Sequence, residues 1–196
     1  MRRWFDGSGF WAAMLLALVC GAGLLAAGVW LRPLEEGRAA AAAGRFEEAR
    51  ARFAAAEARF DRLPLSKQLL PSAYAASQAN QVYLLYQLGE HEALLEKAPS
   101  SVPQAPIHFW SGCALFARAS AEAETQARIG WLSRASEEFR KALVVAPDDW
   151  DVKYDYELTE RLLAQLRKNP EKPPKEMLQL LRPKPTEGRS PARRIG

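Results

Sequence analysis

The stretch EGRAAAAAGRFEEARARFAAAEARF, residues 36–60, decides the fold that we predict for this chain. Small and aromatic residues recur in it at offsets of 0, 7, 12, 16 and 19, namely Gly37, Gly44, Ala49, Phe53 and Ala56. Glycine and alanine let two helices approach closely, and the space that they leave admits a phenylalanine ring. The spacing therefore predicts two antiparallel helices that separate near Gly44 and pack through Phe53.

Part of this spacing returns later in the chain. The offsets 0, 4, 7 and 12 recur at Ala135, Phe139, Ala142 and Pro147. Both stretches resemble tetratricopeptide repeats, which are 34-residue helical hairpins that stack into a solenoid. The resemblance implies one regular and two degenerate hairpins within residues 33–168, closed by a capping helix over 150–167. Since no run of residues alternates between apolar and polar at period two, we predict an all-α fold.

Proline and glycine set the helix boundaries that we predict. The first helix of the first hairpin is expected to begin at Pro33, and its partner to cover 46–60. The later helices are expected at 71–88, 92–98, 107–121 and 133–145, with an additional helix at 122–129. Pro99 and Pro103 end the second hairpin early.

Residues 10–31, FWAAMLLALVCGAGLLAAGVWL, form an apolar segment of 22 residues without a charge. As a helix this segment would be about 33 Å long, which is enough to cross a bilayer. Trp4, Trp11 and Trp30 lie near its ends, where membrane proteins are enriched in aromatic residues. We therefore predict a single transmembrane helix at 10–31, preceded by a cytoplasmic N-terminus at 1–9.

The orientation of this helix follows from the residues that flank it. Two arginines precede the apolar segment and two follow it, but those that follow are offset by Glu35 and Glu36. The N-terminal amine and the shortness of the N-terminus then favour a cytoplasmic N-terminus and a periplasmic C-terminal domain, anchored in the inner membrane. A cleaved signal peptide is the alternative, but its apolar core would run for about 7–15 residues and end in a small-residue cleavage site.

The net charge of +4 lies in the tail, because residues 182–196 carry five Lys/Arg residues and one Glu. The rest of the chain is neutral overall, without the basic folded surface that binds nucleic acid. The tail, residues 169–196, is rich in Pro and Arg and is predicted to be mostly disordered, apart from a short helix before Arg182.

Residues that build metal and catalytic sites are present, but not in a recognised pattern. Four carboxylates cluster around the predicted start of the capping helix, at Asp148, Asp149, Asp151 and Asp155. They could hold Ca²⁺, but they lack the glycine turn and ligand spacing of an EF-hand, so helix capping is the favoured interpretation. His91 and His108 are isolated, and no phosphate loop, nucleophile elbow or zinc motif is present. We predict no cofactor, no metal, no small-molecule substrate and no enzymatic activity.

The first helices of stacked hairpins line the inner surface of a solenoid, where such proteins commonly bind a partner segment. Polar and aromatic residues on these helices are the candidate partner-binding residues: Tyr74, Gln78, Gln81, Tyr83, Tyr86, His108, Trp110 and Arg118. An amphipathic aromatic surface can anchor a protein partner, although each of these aromatic rings could equally belong to the core.

Residues 142–163, ALVVAPDDWDVKYDYELTERLL, carry a narrower resemblance. They are similar to the last repeat of small repeat proteins encoded beside von Willebrand A-domain proteins and MoxR-type ATPases. Those relatives read Pro-Asp-Asp and then Tyr-Asn-Leu-Glu-Leu, from which this chain departs at Asp155 and Tyr156. The single anchor and the degenerate repeats resemble MxaK-type accessory proteins, which are implicated in supplying calcium to periplasmic methanol dehydrogenase.

This resemblance implies a non-enzymatic assembly factor that assists maturation of a methanol dehydrogenase, with that enzyme and von Willebrand A-domain proteins as possible partners. A general envelope scaffold, for example in cytochrome or translocon-associated assembly, is the alternative. A calcium carrier that uses the Asp148–Asp155 cluster is the third hypothesis.

Overall fold

The structure, a computed structural model, describes residues 7–170. These residues form eight α-helices and one short 3₁₀ turn at Ala98–Ser100, and no strand occurs among them. The helices are α1 (Gly7–Ala42), α2 (Phe46–Arg62), α3 (Leu65–Leu69), α4 (Pro71–Gln87), α5 (His91–Lys97), α6 (Ala105–Ala121), α7 (Thr125–Val145) and α8 (Trp150–Lys168). The all-α prediction is confirmed, as are the bounds of α2, α4, α5, α6 and α8 to within two residues.

The predictions for the N-terminal end of the chain and for its tail lie largely outside the described residues. This concerns residues 1–6 of the predicted N-terminal segment, the short helix before Arg182, and the basic tail from residue 171 onward.

The prediction that a separate helix begins at Pro33 is wrong, because α1 continues through this residue. Proline has no N–H to donate to the carbonyl four residues earlier, which here belongs to Val29. Arg59 of α2 supplies the missing donor: its Nη1 lies 2.7 Å from the carbonyl oxygen of Val29 and 2.7 Å from that of Trp30. The apolar segment and the first hairpin helix are therefore one helix.

The prediction of a separate helix at 122–129 is also wrong, because this segment belongs largely to α7. The connection from α6 is short and ends at Glu124, whose carboxylate accepts hydrogen bonds from the backbone N–H groups of Gln126 and Ala127. Such an N-cap satisfies donors that have no partner within the helix, so α7 begins at Thr125 and not at Ser133.

The two helices of each hairpin run in opposite directions and pack on each other. Helix α1 pairs with α2, α4 with α5, and α6 with α7, while α8 packs on α7. Helix α4 also contacts α2 on one side and α6 on the other. The α1–α2 and α4–α5 turns end in the same way, with Gly44 and Gly89 at positive φ (73° and 75°), a conformation that glycine adopts readily.

Two contacts between glycine and phenylalanine hold the first and last hairpins together. A Cβ atom built on Gly37 would lie 2.5 Å from the Phe53 ring, and one on Gly112 would lie 2.6 Å from the Phe139 ring. The six alanines and phenylalanines of the predicted spacing are all buried: Ala49, Phe53, Ala56, Ala135, Phe139 and Ala142. Their role in the core is confirmed.

Candidate functional site

The eight predicted partner-binding residues do not share one surface. Tyr74 lies in the first turn of α4, where its ring packs on Phe60 with centroids 5.3 Å apart. Gln78 is buried, with 4 % of its surface exposed. Its Oε1 accepts a hydrogen bond of 2.8 Å from the backbone N–H of Val102, and its Nε2 donates to the Tyr74 hydroxyl at 3.0 Å. The prediction for Gln78 is therefore wrong, because this side chain fastens a loop inside the domain.

Three other predicted residues lie apart from one another. Gln81 faces α2, where its Nε2 lies 3.4 Å from the carbonyl oxygen of Phe53. His108 lines a cavity of about 560 Å³ between α5, α6 and α7, with its Nδ1 2.7 Å from Oε2 of Glu138. Arg118 forms an ion pair with Glu92 and lies over the Trp131 ring, 4.1 Å from the centroid.

The remaining three predicted residues, Tyr83, Tyr86 and Trp110, come together between α4 and α6. The Trp110 ring lies 5.1 Å from that of Tyr83 and 5.0 Å from that of Tyr86, between centroids. His91 stacks on Tyr86 at 5.5 Å. We call these four residues the aromatic cluster. All four are partly exposed, so the cluster offers flat apolar surface together with polar tips.

Cys113 of α6 and Asp155 of α8 lie beside the aromatic cluster and influence its protonation. Burial raises the pKa of the Cys113 thiol far above its usual range, and the nearby Asp155 carboxylate raises it further. Burial also raises the pKa of Tyr86, with smaller contributions from Cys113 and Asp155. A thiol of such high pKa stays protonated, and a protonated thiol is a poor nucleophile. The rings of the aromatic cluster and their polar tips offer aromatic packing and hydrogen bonding.

Asp155 is the one described carboxylate whose pKa is raised to about 6. The main cause is burial, and the negative charge of Asp151 adds to it. The charge beside Tyr86 and Cys113 therefore changes close to neutral pH. This property was not predicted from the sequence, because it depends on how α8 packs against α6 and α7.

Of the other carboxylates of the acidic cluster, Asp149 caps α8. Oδ1 of Asp149 accepts hydrogen bonds from the backbone N–H groups of Asp151 at 3.0 Å and Val152 at 3.3 Å. The capping interpretation is confirmed for Asp149. Within residues 7–170, no group of three or more His, Cys, Asp or Glu side chains is arranged to hold a metal ion.

A second apolar surface was missed in the sequence. It consists of Val144 and Val145 at the end of α7 and Trp150 and Tyr154 at the start of α8, all exposed, and we call it the α7–α8 corner. A signal for it is present: Val144 lies two residues from the buried Ala142, and Trp150 and Tyr154 each lie two residues from the buried Val152. Positions two apart face opposite sides of a helix, so these side chains must point away from the core.

Helix α1 is long and apolar enough to span a membrane, as predicted. Between Phe10 and Val29 its large apolar side chains are exposed, whereas Leu34 and Ala40 are buried in the domain. The same helix thus carries a surface suited to lipid and a surface suited to a protein core.

Comparisons with known proteins add no relative: no family model, no curated protein and no solved structure matches this chain.

Proposed function

We propose that the chain is a non-enzymatic scaffold, anchored in the inner membrane by α1, with its hairpins in the periplasm arranged as a tetratricopeptide-like solenoid. The observation that carries the proposal is the continuity of α1. Its large apolar side chains between Phe10 and Val29 are exposed, and its last turns pack against α2 through Gly37 and Phe53. A tether of this kind raises the effective concentration of whatever the domain binds near the membrane.

The aromatic cluster is the proposed contact for a protein partner. Tyrosine and tryptophan give large contact areas at low cost in conformational entropy, and they dominate the binding energy of many interfaces. The first helices of the second and third hairpins, α4 and α6, supply Tyr83, Tyr86 and Trp110. These are the helices that line the inner surface of a solenoid, which is why we favour this cluster over the cavity beside His108.

Site-specific photocrosslinking in intact cells tests this proposal. A photoreactive amino acid in place of Tyr83 is expected to form adducts with a protein partner, whereas one in place of Glu47, on the exposed surface of α2, is not. The change Trp110→Ala is expected to remove the Tyr83 adducts, and Trp110→Phe to keep most of them. Equal adducts from both positions, or adducts that survive Trp110→Ala, would reject the aromatic cluster as the contact.

The orientation of the domain is tested with C-terminal fusions to the full chain. We expect an alkaline phosphatase fusion to be active and a green fluorescent protein fusion to be dark, since the former folds only outside the cytoplasm and the latter inside it. The reverse pattern would place the domain in the cytoplasm and reject this part of the proposal.

The narrower proposal is that the partner is a methanol dehydrogenase during its maturation, and it rests on the resemblance of residues 142–163 to MxaK-type proteins. Co-purification of the detergent-solubilised chain with methanol dehydrogenase, lost in Trp110→Ala, would support it. If the crosslinked partner is a cytochrome-assembly or translocon-associated protein, the general envelope scaffold replaces this assignment.

A further inference from the structure

The alternation of helix directions gives the domain two ends. Arg59 of α2 meets Val29 of α1, while Arg52 of α2 forms an ion pair with Glu36, so these helices run antiparallel. The pairs Gly112–Phe139 and Arg118–Trp131 show the same for α6 and α7. The connections that follow α2, α5 and α7 therefore lie at one end of the domain, the end that is closer to the apolar part of α1.

Outside α1, the exposed large hydrophobic side chains are confined to this end. Outside α1, the large hydrophobic residues that are exposed among residues 7–170 are Leu63, Leu65, Leu69, Val102 and those of the α7–α8 corner. All of them lie in the three connections just named or within about one helical turn of them. The connections at the opposite end, 43–45, 88–90 and 122–124, have none. Such a one-sided distribution indicates a surface that contacts another apolar phase.

The connection that follows α2 lies beside the last turns of the apolar segment of α1. Arg59 bonds to the carbonyl groups of Val29 and Trp30, and Arg62, one turn further on, lines an open groove of about 540 Å³ together with Leu25 and Ala26. From Leu25 to Leu31, where the apolar segment ends, the helix rises by about 9 Å. A bilayer that surrounds the segment must therefore reach the end of α2.

The leucines that follow Arg62 are exposed. Leu63, Leu65 and Leu69 are 48 %, 55 % and 68 % exposed. With Arg59 and Arg62 they form a surface that is apolar at its edge and basic beside it, which we call the α2–α3 corner. Trp30 lines the same groove, and its buried Nε1–H has no acceptor within residues 7–170.

We infer that the α2–α3 corner lies in the headgroup region of the membrane that α1 spans and binds anionic phospholipid there. This inference rests on the proposed anchoring by α1. The three leucines enter the boundary of the acyl chains, and the guanidinium groups of Arg59 and Arg62 face the lipid phosphates, which pair well with arginine. Arg62 has no ion pair within the described residues, so it remains available to a phosphate.

The α7–α8 corner is not included, although it is also apolar and lies at the same end. Asp148, Asp149 and Asp151 flank Trp150 in the sequence, and the ammonium group of Lys153 lies over the Trp150 ring, 4.7 Å from its centroid. Carboxylates repel the negative surface of an anionic leaflet. Because the α2–α3 corner is basic and the α7–α8 corner is acidic, we expect anionic lipid to bind at the α2–α3 corner only. The α7–α8 corner then serves as the matched control.

Spin-label accessibility in the full-length chain tests the inference. The chain, with Cys20→Ser and Cys113→Ser, is reconstituted in bilayers of phosphatidylcholine with or without about 30 % phosphatidylglycerol. A nitroxide is attached at Leu65→Cys, at Tyr154→Cys or at Glu90→Cys. We expect the label at position 65 to be more accessible to oxygen, which dissolves in the bilayer, than to an aqueous nickel reagent. This difference in accessibility should be larger in the bilayers with phosphatidylglycerol. The labels at positions 90 and 154 should be more accessible to the nickel reagent than to oxygen in both bilayers.

The change Arg62→Gln is expected to reduce the effect of phosphatidylglycerol at position 65 at least twofold. A label at position 65 that is as open to the nickel reagent as that at position 90, in a chain whose α1 resists carbonate extraction, would overturn the inference and leave the anchoring intact. A buried label that responds neither to phosphatidylglycerol nor to Arg62→Gln would overturn the anionic-lipid contact. Loss of the chain from the bilayer on carbonate extraction would instead reject the anchoring itself.

Discussion

The first hairpin, α1–α2, and the last, α6–α7, share the same kind of packing contact between a glycine and a phenylalanine. They differ in the number of residues that separate the two contacting residues in the sequence. In both, a phenylalanine ring packs against a glycine so closely that a Cβ atom built there would lie 2.5 Å from the ring at Gly37 and 2.6 Å from it at Gly112. The glycine and phenylalanine are 16 residues apart in the first hairpin and 27 apart in the last. The additional residues extend α6 and α7 beyond the contact and leave the contact itself unchanged. Helix length can therefore vary in this architecture while the crossing point of the two helices is kept.

The two hairpins also differ in what covers them. Phe53 packs in a cluster with Leu34 of α1 and Leu84 of α4, so the first hairpin depends on the second. Phe139 packs with Leu115 of α6 and Val152 of α8, so the last hairpin depends on the closing helix. The first hairpin is joined to the apolar segment at residues 10–31, whereas the last is closed by a helix of its own.

The largest effect is expected when either phenylalanine is removed. Phe53→Ala and Phe139→Ala should each reduce the free energy of unfolding by about 3–5 kcal/mol, because each opens a cavity in a buried cluster. Urea titration of the full chain in detergent, followed by circular dichroism, measures this loss. A loss below about 1 kcal/mol at one position only would mean that the two contacts are not equivalent.

A smaller effect is expected when a methyl group is added to the glycine. In Gly37→Ala and Gly112→Ala, the new Cβ clashes with a buried ring, and such overpacking costs about 1–3 kcal/mol. The higher helix propensity of alanine offsets up to about 1 kcal/mol of this loss. We expect a net loss of about 1–2 kcal/mol at both sites. Adding Phe139→Leu to Gly112→Ala should restore part of it, and a gain in stability from either single change would contradict the close contact.

Removal of the N-cap of α8 should destabilise the last hairpin by about 1 kcal/mol and leave the first hairpin unaffected. Asp149→Ala removes the acceptor of two backbone N–H groups, and the loss of an N-cap costs about 0.5–2 kcal/mol. Amide hydrogen exchange should become faster in α8 and around Phe139, and remain unchanged around Phe53. Asp148→Ala, which removes a neighbouring exposed carboxylate, is the control. Equal acceleration in both hairpins would show that the domain opens as one unit.

The smallest effect is expected at Asp155, and it depends on pH. Its pKa is raised to about 6 in the folded chain, above the unfolded value of about 3.9, so the folded state binds more protons between these values. Stability then decreases as pH rises through this range, and the full penalty is present above pH 6. Asp155→Asn should increase stability by at most about 1 kcal/mol at pH 7.5, since partial exposure to solvent weakens the effect. The increase should vanish near pH 4, and a constant increase at both pH values would refute the assignment to Asp155.

The elements that the sequence predicted well are those set by local breakers and by helical periodicity. Gly44 and Gly89 end helices, and the alanines and phenylalanines of the repeated spacing are buried, because these properties depend on a few neighbouring residues. Pro33 was misinterpreted because its missing hydrogen bond is replaced by Arg59, which is 26 residues away in the chain. A rule for helix boundaries that considers only neighbouring residues cannot take account of a donor so far away in the sequence.

The candidate site was predicted only in part, for a similar reason. Tyr83, Tyr86 and Trp110 were identified as aromatic residues on first helices, and they do come together. Gln78 has the same residue character and position, yet it is buried because the loop at Val102 needs an acceptor for its N–H. The proximity of Asp155 to Cys113 depends on how α8 closes the domain, which the local pattern does not specify.

The continuity of α1 has a mechanical consequence. A rod of 36 residues, about 54 Å long, contains no joint between the part suited to lipid and the part that carries the first hairpin. The Arg59 guanidinium braces the rod at Pro33, the position where a proline would otherwise allow a bend. A torque applied to the apolar part of α1 is therefore transmitted to the part that packs in the first hairpin. A neighbouring protein that rotates α1 about its axis will consequently rotate the hairpins as well.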